Sequence, residues 1–375
     1  MVASPETLTV SLTVAFTVAF SFPIFDVGGP VAVTLKDIAK ELGVSIVTVS
    51  RAVHGRPDVS PETRKAVLEL AARLRYRPNS VARSLVTKRS NVWGLIVPDL
   101  MHSFFVEISQ GVESVAAQHN IHLIIVNSHE DVEKERSEIL ALIERQVDGL
   151  IVASCQPSFG ESNLEVLEDE HVPFVLVDRY LGERPWNYVL CDNERVGYLA
   201  TEHLIKLHHQ AIAHVYCRGL QISNMRLAGY RRALKDYGIK VQPNLEQPGG
   251  VTQEAGYQAT KSLLGLRQRP TAVFAFNDPM AIGVMEAAFA AGLGVPADLA
   301  VVGAGNIAHG NMLKVALTTV EQRPFESGQK AAEVLLGAIS KETESEPATL
   351  IMEPHLVVRE SCGTRAAHAR RGESS

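Results

Sequence analysis

Between Thr34 and Val53 lie two short apolar stripes of helical period, each opened by a hydroxyl side chain and parted by one glycine, and this stretch restricts the fold more than any other. Thr34 can cap a helix, with Asp37 three residues on as its capping-box partner. Leu35, Ile38, Ala39 and Leu42 fall at i, i+3, i+4 and i+7 and form one buried face. Gly43 stops that helix, because the turn after it needs a positive φ that glycine adopts cheaply. Ser45 then caps a second helix, with Val44 and Val49 placed as a hydrophobic staple. Val49, Ala52 and Val53 face inward, which leaves Ile46, Val47, Ser50, Arg51 and His54 on the opposite face. Ser60 and Pro61, a cap followed by proline at the first helical position, open a third helix striped by Val67, Leu70, Ala71 and Leu74. Two short helices joined by a glycine turn and braced by a third predict a helix-turn-helix.

The second helix of such a unit enters the major groove, and its outer face fits that task. Ile46 and Val47 are otherwise apolar residues wasted on a solvated surface, and Arg51 can hold guanine O6 and N7 through two parallel hydrogen bonds. The predicted DNA-contacting set in this unit is Thr34, Ser45, Ile46, Val47, Thr48, Ser50 and Arg51. A net charge of −6 argues against a nucleic-acid partner at first, but it is unevenly spread. Residues 33–90 hold twelve Lys and Arg against five Asp and Glu, a net of +7, so the rest carries −13. A basic head on an acidic body puts any phosphate-binding surface in the first hundred residues.

Four cysteines, Cys155, Cys191, Cys217 and Cys362, are widely spaced without a C-x-x-C pair. They read as reduced cytoplasmic thiols, with neither a disulfide framework nor a zinc site. Leu8 to Phe25 is apolar but lacks the basic flank of a signal peptide or anchor. Residues 1–32 are therefore expected to be a disordered extension or upstream sequence read from an early start codon, with Val31 or Val33 as alternative initiator.

Beyond Ser90, short apolar runs alternate with helical stretches. Val92–Val97, Ile121–Val126, Gly149–Ala153 and Pro173–Val177 read as buried parallel strands, and Ala211–Tyr216, Thr271–Phe276 and Leu299–Gly303 form a second series. Helices are expected near 104–118, 133–145, 164–170, 196–207, 225–237 and 280–291. The pattern predicts two doubly wound α/β lobes, whose ligands bind beyond the carboxyl ends of the strands. Those positions hold Asp99, Phe104, Phe105, Asp178, Arg179 and Arg226, followed by Asn277, Asp278, Gly305 and Asn306.

Val33–Ala39, Gly43–Arg51, Val59–Arg64 and Tyr76–Leu85 together resemble the opening of the lactose- and galactose-repressor (LacI/GalR) family, and the resemblance extends from about Val33 to about Glu360. It implies an all-α helix-turn-helix headpiece followed by a periplasmic-binding-protein-like core. It also implies a hinge helix over Asn79 to Leu85, in which Asn79, Ala82 and Leu85 contact DNA and Leu85 wedges into the minor groove. Asn79 is a good cap, a helix this short is marginal alone, and apolar wedges are a known minor-groove device. In the core the resemblance points to Phe104, Phe105, Asp178, Arg226 and Asn277 as the effector-binding set. Three departures stand out: His54 replaces the commoner Asn, Ala304-Gly305-Asn306 lacks the usual acid, and Gly249-Gly250-Val251 lacks the usual aromatic platform. The missing acid predicts an effector that is anionic or less hydroxyl-rich than a neutral hexose.

The domain expectation is an extension over 1–32, a headpiece over 33–78, a hinge and linker over 79–90, a core over 91–361 and a tail over 362–375. Lobe 1 takes about 91–190 and 321–350, and lobe 2 about 191–318 and 351–361. The predicted function is a repressor that binds operator DNA as a homodimer and responds to a sugar or sugar-derived acid, with no cofactor, metal or membrane partner. The enzyme reading lacks a motif: no G-x-S-x-G or H-E-x-x-H occurs, and Ala308 spoils the one glycine fingerprint. An exported solute-binding protein suits the core alone, but neither the basic headpiece nor the poor signal sequence.

Overall fold

The computed structural model describes residues 33–53, 55–76, 89–156, 162–182, 184–340 and 346–363. It forms two compact units, the first ending at Ser80 and the second beginning at Val81. No helix among the described residues is long and apolar enough to cross a membrane.

The first unit contains α1 (Leu35–Leu42), α2 (Ile46–Val53) and α3 (Pro61–Arg73). Its caps are set by neighbours in sequence. Asp37 N–H donates to the Thr34 hydroxyl, while the Asp37 carboxylate accepts from Thr34 N–H at 2.8 Å and from the Thr34 hydroxyl at 2.7 Å. Gly43 turns at φ +65°, ending α1 where the sequence requires it. Thr48 N–H donates to the Ser45 hydroxyl at 3.0 Å, and Thr63 N–H to that of Ser60 at 3.2 Å. Ile38, Ala39, Val49, Ala52, Val67, Leu70 and Ala71 make a core that Val44, Leu35, Leu42 and Leu74 partly cover. Arg73 of α3 pairs with Glu41 of α1 across its edge.

The second unit holds two six-stranded sheets, one in each lobe. Lobe 1 orders its strands β11-β5-β4-β3-β1-β2, and lobe 2 β12-β10-β9-β8-β6-β7. In chain order these are β1 (Val92–Val97), β2 (His122–Asn127), β3 (Gly149–Val152), β4 (Phe174–Val177), β5 (Asn187–Cys191) and β6 (Ile212–Cys217). They continue with β7 (Glu246–Gly249), β8 (Ala272–Ala275), β9 (Ala300–Ala304), β10 (Thr318–Glu321), β11 (Thr349–Met352) and β12 (His355–Val357). All pairings are parallel except β10 with β12. The central strands are buried on both faces, as parallel sheets require. Trp93, Leu95 and Val97 of β1 join one core layer of lobe 1, while Ile96 joins the layer on the other face.

The helices are α4 (Ser103–Gln118), α5 (Val132–Glu144), α6 (Glu165–Asp169), α7 (Asn193–Lys206), α8 (Gln221–Asp236), α9 (Gln253–Leu264), α10 (Asp278–Ala290) and α11 (Pro324–Ser340). Strands β5, β7, β10, β11 and β12 and helices α9 and α11 are additions to the sequence reading. The edge strands β7, β11 and β12 are short and half polar, and the buried faces of α9 and α11 are built mostly from small residues, Gly256, Ala259 and Thr260 in one and Ser327, Gly328, Ala331 and Ala332 in the other. The chain crosses between lobes after Cys191, after Glu321 and after Met352. Glu321 therefore stands in the lobe 2 sheet and Ile351–Met352 in that of lobe 1, one or two residues from the expected boundaries. Sheet pairing, not apolar content, draws that line.

Candidate functional site

On the headpiece, Ile46 and Val47 of α2 are 47% and 57% exposed, while Val49 and Ala52 beside them are buried. The second helix thus presents an apolar outer face where its caps and stripe place one. Arg51 stands on the same helix, and its Nη1 lies 2.7 Å from the Asp58 carboxylate. Ser45 and Thr48 share a hydrogen bond of 2.8 Å at the start of the helix, and the Thr34 hydroxyl closes its capping box, so all three side chains already shape helix ends. Asn79, Ala82, Leu85 and His54 lie outside the described residues.

In the core, the carboxyl ends of both sheets frame a cleft of about 200 Å³. Each sheet reverses its strand order beside its first strand, β1 in lobe 1 and β6 in lobe 2, the place where doubly wound sheets bind ligands. Phe104, Phe105, Asp178, Arg226 and Asn277 all line this cleft, brought together from α4, the loop after β4, α8 and the turn after β8. Phe104 and Phe105 pack edge to face at 5.3 Å and leave part of one wall aromatic.

Asp178 has an unusual backbone conformation. It follows β4 with φ +69°, a left-handed conformation that Asp tolerates better than most residues and that clusters at functional sites. Its side chain is 5% exposed, and its nearest cation is Arg179 Nε at 3.9 Å, too far for a hydrogen bond. Burial pushes the Asp178 carboxyl above the usual carboxylate range, only partly opposed by the Arg179 and Arg226 charges. A buried carboxylate with no donor among the described residues is poised for one brought by a ligand.

The cationic and amide groups are more committed. Arg226 donates through Nε to Asn193 at 2.8 Å, through Nη1 to the Phe276 carbonyl at 2.5 Å and through Nη2 to Gln322 at 2.6 Å. Asn193 and Gln322 stand beside two of the three lobe crossovers, so one guanidinium ties both together. Burial draws Arg226 below the usual guanidinium range, against the pull of Asp178. Its position depends on a close helix crossing: a Cβ on Gly197 of α7 would sit 2.0 Å from the Arg226 carbonyl. Arg179 donates to both oxygens of Glu130, at 2.8 and 2.5 Å, and to the Ser154 carbonyl at 3.2 Å. Asn277 caps α10 by accepting from Met280 N–H at 2.9 Å, and its amide donates to the Val251 carbonyl at 2.9 Å.

Two strand-end candidates turn away from the cleft. Asp278 accepts from the Thr319 hydroxyl at 2.6 Å and from Ile307 N–H at 2.9 Å inside lobe 2, and burial raises its carboxyl to about 6. Asn306 is held between Arg359 and Glu321. Strand-end counting also misses His102, Glu130, Ile222, Thr252 and Gln322 of the lining. His102 precedes α4 and accepts from Phe104 N–H through Nδ1 at 3.3 Å, so the proton of its neutral ring sits on Nε2. Burial lowers its affinity for a second proton. The signal for it was local: a polar residue in cap position before Ser103-Phe104-Phe105.

Among the described residues no cluster of three or more His, Cys, Asp or Glu is arranged to hold a metal. All four cysteines are buried and none is in a disulfide, and burial pushes the thiols of Cys155 and Cys191 up to about 12.

Comparison with known proteins agrees with both halves of this geometry. Residues 34–79 match the bacterial regulatory proteins of the lacI family, and residues 201–362 match the periplasmic binding protein-like domain. Catabolite control protein A of Priestia megaterium is 35% identical over 327 residues, covering 87% of this chain and 97% of its own. The transcriptional repressor PurR of Edwardsiella ictaluri is 35% identical, covering 88% and 96%. Among solved structures, the Lac repressor dimer bound to operator and the anti-inducer ONPF superposes with a TM-score of 0.78 at 30% identity, over 88% of this chain and 99% of that one. The regulator CelR in complex with cellobiose gives 0.66 at 30% identity, with the same coverage. These relatives regulate transcription and align through headpiece and core alike, which sets aside the solute-binding alternative. The chain belongs to the lacI family of bacterial regulatory proteins, as a DNA-binding transcriptional regulator with an effector-binding core.

Proposed function

We propose that Asp178, with Arg226, His102, Phe104 and Phe105, holds a neutral, hydroxyl-bearing effector, and that this ligand sets the affinity of the headpiece for operator DNA. The observation that carries the reading is the Asp178 carboxylate, buried at the cleft without a hydrogen-bond donor. A sugar hydroxyl supplies that donor, and His102 Nε2–H offers a donor in return. The guanidiniums of Arg179 and Arg226 are largely engaged within the protein, so the expected preference for an acidic effector gives way to a neutral one. The solved structures of a regulator in complex with cellobiose and of another with bound ribose lend the sugar class support. Asn277, engaged on both sides of its amide, contributes shape and helix capping.

On DNA, Ile46, Val47, Ser50 and Arg51 read the major groove while Thr34, Ser45 and Thr48 hold the helix ends near the phosphates. Asn79, Ala82 and Leu85 supply the hinge contact in the minor groove. A homodimer in the cytoplasm presents two such units to a two-fold operator, in a binding role with no chemistry of its own. A ligand touching both lobes favours one relative orientation, and its coupling to DNA affinity is reciprocal. The decisive experiment pairs a thermal-shift screen of neutral sugars, sugar acids and nucleobases with binding to an operator selected from random DNA, read with and without each hit. Hits confined to acids would overturn the neutral reading. A hit that leaves operator affinity untouched would separate the cleft from regulation.

A further inference from the structure

Arg179 follows Asp178 in the chain and lines the same cleft, yet it gives its neighbour no hydrogen bond. Its side chain is only 8% exposed, and its Nε, 3.9 Å from the Asp178 carboxylate, has no hydrogen-bond partner among the described residues. The other two nitrogens are drawn to Glu130, one to each carboxylate oxygen, and Nη1 also reaches the Ser154 carbonyl. Two parallel bonds to one carboxylate are the strong form of guanidinium pairing. Glu130 lines the cleft as well, so the charge of Arg179 is cancelled at the ligand wall itself.

Both anchors of Arg179 are held in turn. Glu130 sits in the turn after β2, where it and His129 each take φ +56°, a left-handed conformation uncommon for a glutamate. Its N–H donates to the Pro98 carbonyl at 3.2 Å, and Asp131 N–H donates to the Ser128 carbonyl at 3.0 Å. Asp131 also caps α5 through the N–H groups of Glu133 and Lys134, which fixes the turn on its far side. Backbone strain of this kind persists where surrounding contacts enforce it, and it clusters at ligand sites. The Ser154 carbonyl is set by Glu135, a fully buried residue. Its carboxylate accepts from the Ser154 hydroxyl at 2.8 Å, Cys155 N–H at 2.7 Å and the Gln156 amide at 2.6 Å.

We propose that Glu130 is a specificity-determining residue of the cleft: by pairing with Arg179 and holding it off Asp178, it selects neutral hydroxyl-bearing ligands over their carboxylate counterparts. The proposal rests on reading the cleft as the effector site. Without the Glu130 charge, Arg179 is a buried cation lacking its partner, and such a group takes the next acceptor within reach. A ligand carboxylate is one such acceptor and Asp178 is the other. The first pairing draws acids into the cleft, and the second occupies the carboxylate that a sugar hydroxyl would use. Both turn the selectivity the same way.

The test titrates the purified full-length chain by calorimetry with matched neutral sugars and uronic acids, glucose with glucuronate and galactose with galacturonate. The ratio of neutral to acidic affinity should fall about ten-fold in Glu130→Gln, the size of one charge-assisted hydrogen bond gained by the acid. Arg179→Met should move the ratio the opposite way, because Glu130 then stands unpaired and repels acids. An unchanged ratio in Glu130→Gln overturns the proposal, and so do equal losses for both ligand classes, which mark a structural role only. If Glu130→Gln does not fold, Arg179→Met decides: a higher ratio supports the proposal, and an equal or lower one overturns it. If neither class binds the wild type, the sugar reading of the cleft fails separately. Inorganic sulfate is then the probe. It should raise the Tm of Glu130→Gln more than that of the wild type or of the double variant Glu130→Gln/Arg179→Gln. Equal shifts in all three overturn the proposal.

Discussion

Arg51 on the second helix and Asp58 in the loop before the third form an ion pair of 2.7 Å, with both side chains about half exposed. An exposed pair of this kind contributes roughly 0–1 kcal/mol, little enough for DNA to displace. Asp58 therefore parks the guanidinium without trapping it.

Arg51→Ala should weaken binding to the selected operator by about 1–3 kcal/mol and leave random DNA nearly unchanged. Asp58→Ala should do the opposite, raising affinity for both DNAs a few-fold by removing a competing acid. Fluorescence anisotropy across a salt series distinguishes them. Equal losses on both DNAs for Arg51→Ala would make it a phosphate contact, with a salt slope flatter by about one unit.

Asp178→Asn should stabilise the ligand-free core while lowering effector affinity at least ten-fold. The raised Asp178 pKa means that its ionised form costs stability in the fold, and asparagine tolerates the same left-handed backbone. A higher Tm than wild type is expected at pH 7.5. The cost in the wild type lapses as pH falls through the raised pKa, so the advantage of the variant should fade toward acid. A lower Tm for Asp178→Asn at pH 7.5 would show that its charge pairs productively with Arg226 or Arg179.

Arg226→Ala should abolish the effect of the ligand on operator binding and also destabilise the core by about 3 kcal/mol. It removes three hydrogen bonds, two of them to residues at the lobe crossovers. Ligand-free operator affinity should stay within a few-fold of wild type below the melting range. Calorimetric melting with parallel anisotropy checks both halves, and preserved ligand response would remove Arg226 from the switch.

His214 makes core stability depend on pH. It is fully buried in lobe 2, stacked on Phe274 at 4.5 Å, with Nδ1 bonded to the Phe274 carbonyl at 2.9 Å and Nε2 unpartnered among the described residues. Burial lowers its pKa to about 3, so the folded ring stays neutral while the unfolded one protonates below pH 6.5. Its contribution is present above pH 6.5 and drains away as pH falls, reaching about 2 kcal/mol lost by pH 5. His214→Phe should flatten that slope in urea titrations between pH 7 and pH 5. An unchanged slope would place the proton uptake elsewhere.

What the sequence determined by itself is whatever a few neighbouring residues decide among themselves. The Thr34–Asp37 box, the turn at Gly43 and the Ser60 cap each close within four residues, so their chemistry is legible in order of sequence. The apolar runs of β1, β3 and β4 are legible for a related reason, since a strand covered on both faces must be apolar throughout. Strand ends likewise brought Asp178 and Arg226 into view as candidates. Tertiary structure decided which candidates face the ligand. Asp278 turns inward because Thr319, 41 residues on, offers it a hydroxyl, and Asn306 is captured by Arg359, 53 residues away. Glu130 and Gln322 enter the cleft through arginines 49 and 96 residues from them in the chain. A side chain's direction at a strand end follows the partner that satisfies it, and partners this distant meet only when the lobes pack.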